Sequence, residues 1–252
     1  MPLLVTDAIV LHSARYLESS SILRLATREA GVQSVVARGA RSSKKRFGSA
    51  VDLFAEGQAQ FQTKPGRDLH TLTSFDVSRS FQALSSDLGR FAAASAFAEC
   101  VLRVVHDEPA PSVYDGILDG LNAIATSTPD ASLQVTLGAL WRLVSAVGFT
   151  PVLDRCAECH TPIASDEDVY FNHSAGGTLC AMCSALHPGG RRLPSGARAA
   201  ILGWLDGEAI AITGVEERAH QRLLREFLSQ HLMDGRELKA FAAWERGSLG
   251  RV

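Results

Sequence analysis

Four cysteines carry the clearest chemistry in this 252-residue chain. Cys156 and Cys159 form one Cys-x2-Cys pair, Cys180 and Cys183 a second, and twenty residues separate the pairs. Each pair can offer two thiolates to one ion, and twenty residues suffice for a hairpin that brings the pairs together. The intervening "VYFNHSAGGTL" supplies a strand, a turn at Gly176-Gly177 and a short return. The pattern predicts a zinc-ribbon-like or treble-clef-like module holding one structural Zn2+ in a shell of four cysteines. Four thiolates fill a tetrahedral shell and leave no open position for a water or substrate, so a zinc-activated hydrolase is disfavoured. Neither His160 nor His173 is needed as a ligand while all four cysteines stand. Cys100 lies among Phe97, Val101 and Val104 in a helical pattern and reads as a small core residue.

The second group is a run of cations. Arg38, Arg41, Lys44, Lys45 and Arg46 fall within nine residues, and no acid follows until Asp52. The whole chain carries a net charge of -2, so this is a local patch and not a property of the composition. Gly39, Ser42 and Ser43 suit a loop. Lysines and arginines on such a loop can contact phosphates without reading bases, and the same composition also fits an ordinary solvated loop that happens to be basic. Only Tyr16, Phe47 and Phe54 are aromatic candidates nearby, which predicts electrostatic binding with weak sequence preference. Arg24 and Arg28 lie on the neighbouring strand and extend the candidate set. Arg191 and Arg192 extend the basic surface beyond the cysteine segment or face solvent.

Elements that position these groups follow from periodicity. Residues 1–80 predict a small β domain of five strands: "DAIVLHSA", "SILRLATREAG", "QSVVARGA", "SAVDLFAEGQAQFQT" and "LHTLTSFDVSRS". Five short strands in this length suggest a small barrel or sandwich, with the five-stranded OB-fold barrel as one candidate. Residues 81–252 predict an α-helical domain carrying the zinc-binding insert at 154–187. "SFQALSSDLGRFAAASAFAECVLRVVH" reads as one long helix. "SVYDGILDGLNAIATS" reads as a second, opened by Ser112 with Asp115 three residues on. "DASLQVTLGALWRLVSAVG" reads as a third, and three more follow the insert. The fold class is therefore α+β and multidomain.

Several function classes are excluded by motif. "GARSSKK" lacks Walker spacing, no Gly-x-Ser-x-Gly elbow or His-Glu-x-x-His occurs, and the eight histidines are scattered. The expectation is a protein that is not an enzyme. Arg142 in the centre of the most apolar stretch, Ser132–Leu153, argues for a buried helix and against a membrane span. The opening residues lack the pattern of a secretory signal.

Taken in order, "DAIVLHSARYLESSSILRLATREAG", "VARGARSSKKRFGSAVDLF", "LVSAVGFTPVLDRCAEC" and "GGTLCAMC" resemble the RecO family of bacterial DNA repair proteins along nearly the whole chain. Arg38 stands where lysine is common in the family, and the third helix lacks an aromatic–acid pair seen near its start in many relatives. Some relatives lack the cysteines, which marks the metal as structural. The resemblance implies binding to single- and double-stranded DNA and annealing of complementary strands without ATP. It implies work with RecR to load RecA onto DNA coated by single-stranded DNA-binding protein. The partners implied are therefore DNA, RecR and the acidic C-terminal tail of that protein, with a functional link to RecA and no membrane. The place implied is the bacterial cytoplasm, at the nucleoid. A surface for the acidic tail is expected at Arg142 beside Trp141, or at Arg90 and Arg103. The competing class is a zinc-stabilised protein-interaction adaptor with incidental DNA binding.

Overall fold

The computed structural model describes residues 2–40, 47, 52–63, 66–232 and 237–247. Five strands come first: β1 (Leu3–Tyr16), β2 (Ser20–Thr27), β3 (Gly31–Ala37), β4 (Ala55–Gln62) and β5 (Leu69–Ser80). They close in the order β1-β2-β3-β5-β4, with β4 pairing back onto β1. All pairings are antiparallel except β3 with β5, which is parallel from Ser34–Leu69 to Val36–Thr71. This is the OB-fold barrel. β1 serves two neighbours by being long and irregular: its first half pairs with β4, its second with β2, and the register shifts between Val10 and His12. The fourth strand begins at Ala55, after Phe54 with a positive φ of 64°; residues 49–51 of the expected strand lie outside the described residues.

Alternation along β1 explains how the barrel is attached. Ala8 and Val10 point into the barrel with Leu23, Leu25, Phe61 and Leu72. Ile9 and Leu11 point out, and they join Ala26, Val32 and Phe54 in the core of the helical body. A strand apolar on both faces is a strand covered on both faces. Here the outer cover is helical.

That body consists of α1 (Gln82–Ser85), α2 (Leu88–Val104), α3 (Pro111–Thr126), α4 (Ser132–Ala146), α5 (Ala181–Leu186), α6 (Ser195–Leu205), α7 (Gly214–His231) and α8 (Lys239–Gly247). The expected long first helix is two. Asp87 turns extended and its side chain accepts the N–H of Arg90, restarting the helix as an N-cap. The expected cap on α3 is absent: the helix opens on Pro111 with Ala110 before it, and Asp115 is engaged by Arg28. Proline at the first helical position replaces the cap, since its missing N–H needs no partner.

Small residues let α2 pack closely. Ala93, Ala94, Ala96, Phe97, Ala98, Cys100 and Val101 are all buried, so Cys100 is a core residue as its neighbours predict. Burial pushes the Cys100 thiol far up, which keeps it protonated. Glu99, on the same helix, accepts the N–H groups of Lys239, Ala240 and Phe241 and thereby caps α8. No helix is long and apolar enough to cross a membrane among the described residues.

Between barrel and helices the backbones touch. Val32 donates its N–H to the carbonyl of His106 at 2.9 Å. The preceding Gly31 has φ 61°, and a Cβ there would stand 2.1 Å from that same carbonyl oxygen. Gly31→Ala is expected to cost about 3 kcal/mol or more, from positive-φ strain plus the clash, and to lower Tm by roughly 6–12 °C. Thermal unfolding of the variant measures it, and an unchanged Tm would show that the seam can open without cost.

Candidate metal centre and nucleic-acid interface

The insert folds as β6 (Val169–Asn172), β7 (Gly177–Leu179) and β8 (Arg191–Leu193), in the order β7-β6-β8, with α5 following the hairpin. The turn between β6 and β7 passes through Gly176, and Thr178 then donates its N–H to the Val152 carbonyl at 2.8 Å. A Cβ on Gly177 would meet that carbonyl at 2.2 Å, so only glycine lets the hairpin lie on the segment leading to Cys156. Both cysteine pairs are brought together this way. Cys156 and Cys159 sit in a turn closed by the His160 N–H on the Cys156 carbonyl. Cys180 caps α5 with its sulfur toward the N–H of Cys183, at 3.5 Å.

The four sulfurs lie within 4.8 Å of one another, and the Sγ atoms of Cys159 and Cys180 are 3.8 Å apart. A tetrahedral zinc with bonds of about 2.3 Å sets its sulfurs about 3.8 Å apart. Burial raises the Cys156 thiol, but N–H groups of Cys159, Cys180 and Glu158 outweigh it and hold the pKa at about 6. Cys183 is pushed up to about 12, first by its hydrogen bond with Cys180 and then by burial and the other thiols. The Cys159 thiol is also held down, first by its hydrogen bond with Thr161, so the first pair favours thiolates while Cys183 is opposed by the sulfurs around it. These residues fit a soft divalent ion. His173 stands apart: its Nε2 lies 3.1 Å from Glu226, which also holds Arg191 in a two-pronged pair. His160 is exposed.

The ribbon is held to the helices by a ring-to-ring chain. Phe171 of β6 is 5.9 Å from Phe227 of α7, and Phe227 is 5.4 Å from Trp141 of α4. Asp168, whose acidic run suggests a solvated loop, pairs with Arg192 and accepts the N–H of Ser195 at 2.9 Å, starting α6.

Of the basic residues singled out in sequence, Arg38 is exposed just beyond β3. Arg41, Lys44, Lys45 and Arg46 lie outside the described residues. Arg24 is half-buried at the seam, with a guanidinium nitrogen 3.4 Å from the Leu102 carbonyl. Arg28 faces the other way: it pairs with Asp115 and, at 3.6 Å, with Asp7, and lies 5.0 Å over the Tyr114 ring. Its charge is met within the protein. Two further candidates for phosphate contact are Arg67 on the β4–β5 connection, which sequence reasoning does not reach, and Arg103 near the end of α2, which it offers only for an acidic protein tail.

Trp141 is fully buried, and Arg142 donates to the Trp204 carbonyl at 2.9 Å. Trp141 is core and offers no surface, whereas Arg142 stays half-buried. A groove of about 360 Å³ lies instead between the β8–α6 junction and α7. Leu193, Pro194, Ala197 and Leu223 give it an apolar floor, and Arg191, Arg192, Arg218 and Arg222 surround it. His220 lines it too, 2% exposed, its ring 4.9 Å from Trp204.

Burial brings the His220 pKa from 6.5 down to about 4, against a small opposing pull from Glu216. The unfolded chain therefore takes up a proton near 6.5 that the folded one refuses until about 4. Stability from this site is complete above pH 6.5 and is lost as pH falls toward 4, a loss on the order of 3 kcal/mol. Denaturant midpoints at pH 7.5 and 4.5 measure it, and His220→Leu is expected to flatten that part of the profile.

The comparisons with known proteins cover the same ground. A family model described as Recombination protein O N terminal matches residues 1–81, and one described as Recombination protein O C terminal matches residues 85–239. The DNA repair protein RecO of Anaeromyxobacter sp. strain K is 37% identical over 240 residues, 92% of each chain. That of a Nocardioides species is 32% identical over 249 residues, 95% of this chain and 98% of its own. That of Caldanaerobacter subterraneus is 30% identical over 249 residues, 96% and 98%. Matches that run through barrel, helices and cysteine module make the chain a member of the RecO family of DNA repair and recombination proteins.

Proposed function

We propose that this protein binds single- and double-stranded DNA and anneals complementary strands without ATP or catalysis. In this reading it works with RecR to load RecA onto DNA coated by single-stranded DNA-binding protein. One observation carries the DNA contact. Arg38 leaves the end of a closed OB barrel exposed and without an acidic partner among the described residues, and begins the run of Arg41, Lys44, Lys45 and Arg46. Arg24 remains in the proposed set. Arg28 serves as a bridge from the barrel to α3 and is withdrawn from it.

Annealing needs the phosphate repulsion of two strands to be screened while the base edges stay free. Long cationic side chains on a loop do this, because they reach phosphates and carry no fixed pattern of donors for bases. Five such contacts to a single strand predict log affinity falling against log salt with a slope of about -3.5. Lys44→Ala/Lys45→Ala/Arg46→Ala is expected to reduce that slope by about 2 and to slow annealing of complementary oligonucleotides. A triple variant that keeps the slope and the annealing rate would remove this loop from the interface.

The arginine groove beside α7 supports the protein-contact side of the function. An acidic tail with an apolar residue would meet the apolar floor and, at the rim, Arg218 and Arg222, which have no acidic partner among the described residues, and we place the tail of single-stranded DNA-binding protein there.

For the cysteines we propose one structural zinc. Metal analysis of the purified protein is expected to give one zinc per chain. Cys159→Ser/Cys180→Ser is expected to lose it and to lower Tm by about 10 °C, while affinity for DNA changes by less than about twofold. A large loss of DNA affinity at unchanged fold would make the metal module part of the interface.

A further inference from the structure

Two hollows adjoin on one side of the barrel, and Arg67 belongs to both. The first, about 490 Å³, lies at the barrel end among Tyr16, Leu17, Val36, Arg38 and Leu69. The second, about 260 Å³, lies in the seam, among Arg24, Ser34, Leu102, Arg103 and His106. Arg38, Arg67, Arg24 and Arg103 thus mark a path from the rim onto the helical body. Among the described residues none of the four is paired with an acid, whereas Arg28, Arg79, Arg191, Arg192 and Arg225 all are. Arg15, Arg142, Arg198, Arg218 and Arg222 also lack an acidic partner among the described residues; what sets these four apart is that they border two hollows joined at Arg67.

The seam is the more telling half. Burial, and then the charge of Arg103, push the pKa of Arg24 down. Two guanidinium groups are held near each other in a half-buried place with no carboxylate against either. Such a pair is costly by itself and favourable with an anion between its members. Asp68 and Asp107 border the same hollow, both exposed, and neither pairs with an arginine among the described residues. Against Arg24, Arg67 and Arg103 they leave one net positive charge, enough for a single phosphate.

We propose that a single DNA strand runs from the barrel rim along Arg67 into this seam, where Arg24 and Arg103 hold one of its phosphates, and that a duplex stops at the rim. The proposal rests on DNA binding by the basic loop as proposed above and adds a contact from the helical body. Tyr16, 39% exposed, offers a ring on which an unpaired base can stack at the start of the path. A single strand can follow a turn from the rim into a narrow hollow. A duplex is stiff over about 150 base pairs and cannot bend into it without a large cost.

The test compares affinities for a single-stranded oligonucleotide and for the same sequence as a duplex, across a salt titration, using the full-length protein. Arg67→Ala/Arg103→Gln is expected to weaken single-strand binding about tenfold and to reduce its salt slope by about 1.4, two contacts' worth. Duplex affinity is expected to stay within about twofold. Single-strand affinity and slope equal to wild type would overturn the path, as would an equal loss on the duplex. Arg67→Ala alone, on an exposed connection, gives the same reading with a slope change of about 0.7 if the double variant folds poorly. Wild-type protein that binds neither DNA would overturn the function itself. Wild-type binding with variants indistinguishable from it would overturn only the path.

Discussion

The carbonyl oxygen of His106 stands where the Cβ of any residue but glycine at position 31 would be. Because that position is glycine, the turn before β3 can lie directly on the chain that leaves α2, and Val32 can hydrogen-bond to it. The rest of the architecture depends on this approach. It presses the outer face of β1 and β2 onto α2, so that Ile9, Leu11, Ala26 and Val32 share one core with Phe97 and Val101. An isolated barrel would expose that face to water. Here it is the main apolar join between the two parts, and the ion pairs at its edge are partly exposed and add little.

The same closeness shapes the charge distribution. Arg24 on β2 and Arg103 on α2 face one hollow because their elements are held together at the seam. Neither could be moved away without unpacking the core. Arg28, one residue past the end of β2, finds Asp7 and Asp115. One segment therefore supplies a structural arginine and an unmet one.

Some of this is legible in the sequence and some is not, for physical reasons. The cysteines are, since metal geometry fixes both ligand type and spacing, and a glycine pair marks the hairpin between them. The strands are, since "AIVL" and its neighbours are apolar on both faces and bounded by turn residues. The split between α1 and α2 is hidden because Asp87 interrupts an otherwise helical composition, and only its extended backbone turns it into a cap. The cap expected at Ser112 fails because Pro111 already opens the helix and Asp115 is drawn to Arg28. Trp141 is drawn into the core, while Arg142 beside it stays half-buried and is held by the Trp204 carbonyl. The joining of Arg67 to Arg103 and Arg24 is invisible because neighbours in space that are far apart in sequence leave no spacing to read.

The fate of each arginine then connects fold to function better than any count of charge. The chain is slightly acidic overall, so nucleic acid would be repelled by an evenly spread charge. What matters is where acids are absent. Around the ribbon, Glu226 and Asp168 fasten Arg191 and Arg192, and Glu245 fastens Arg225. Beside the barrel no acid is within pairing distance of Arg38, Arg67, Arg24 or Arg103 among the described residues. Leaving cations unmet raises the energy of the free protein and lowers that of any complex supplying anions at matching places. On the proposed reading, selection among polyanions falls to shape: the hollow set into the seam would admit only the form of DNA that can bend into it.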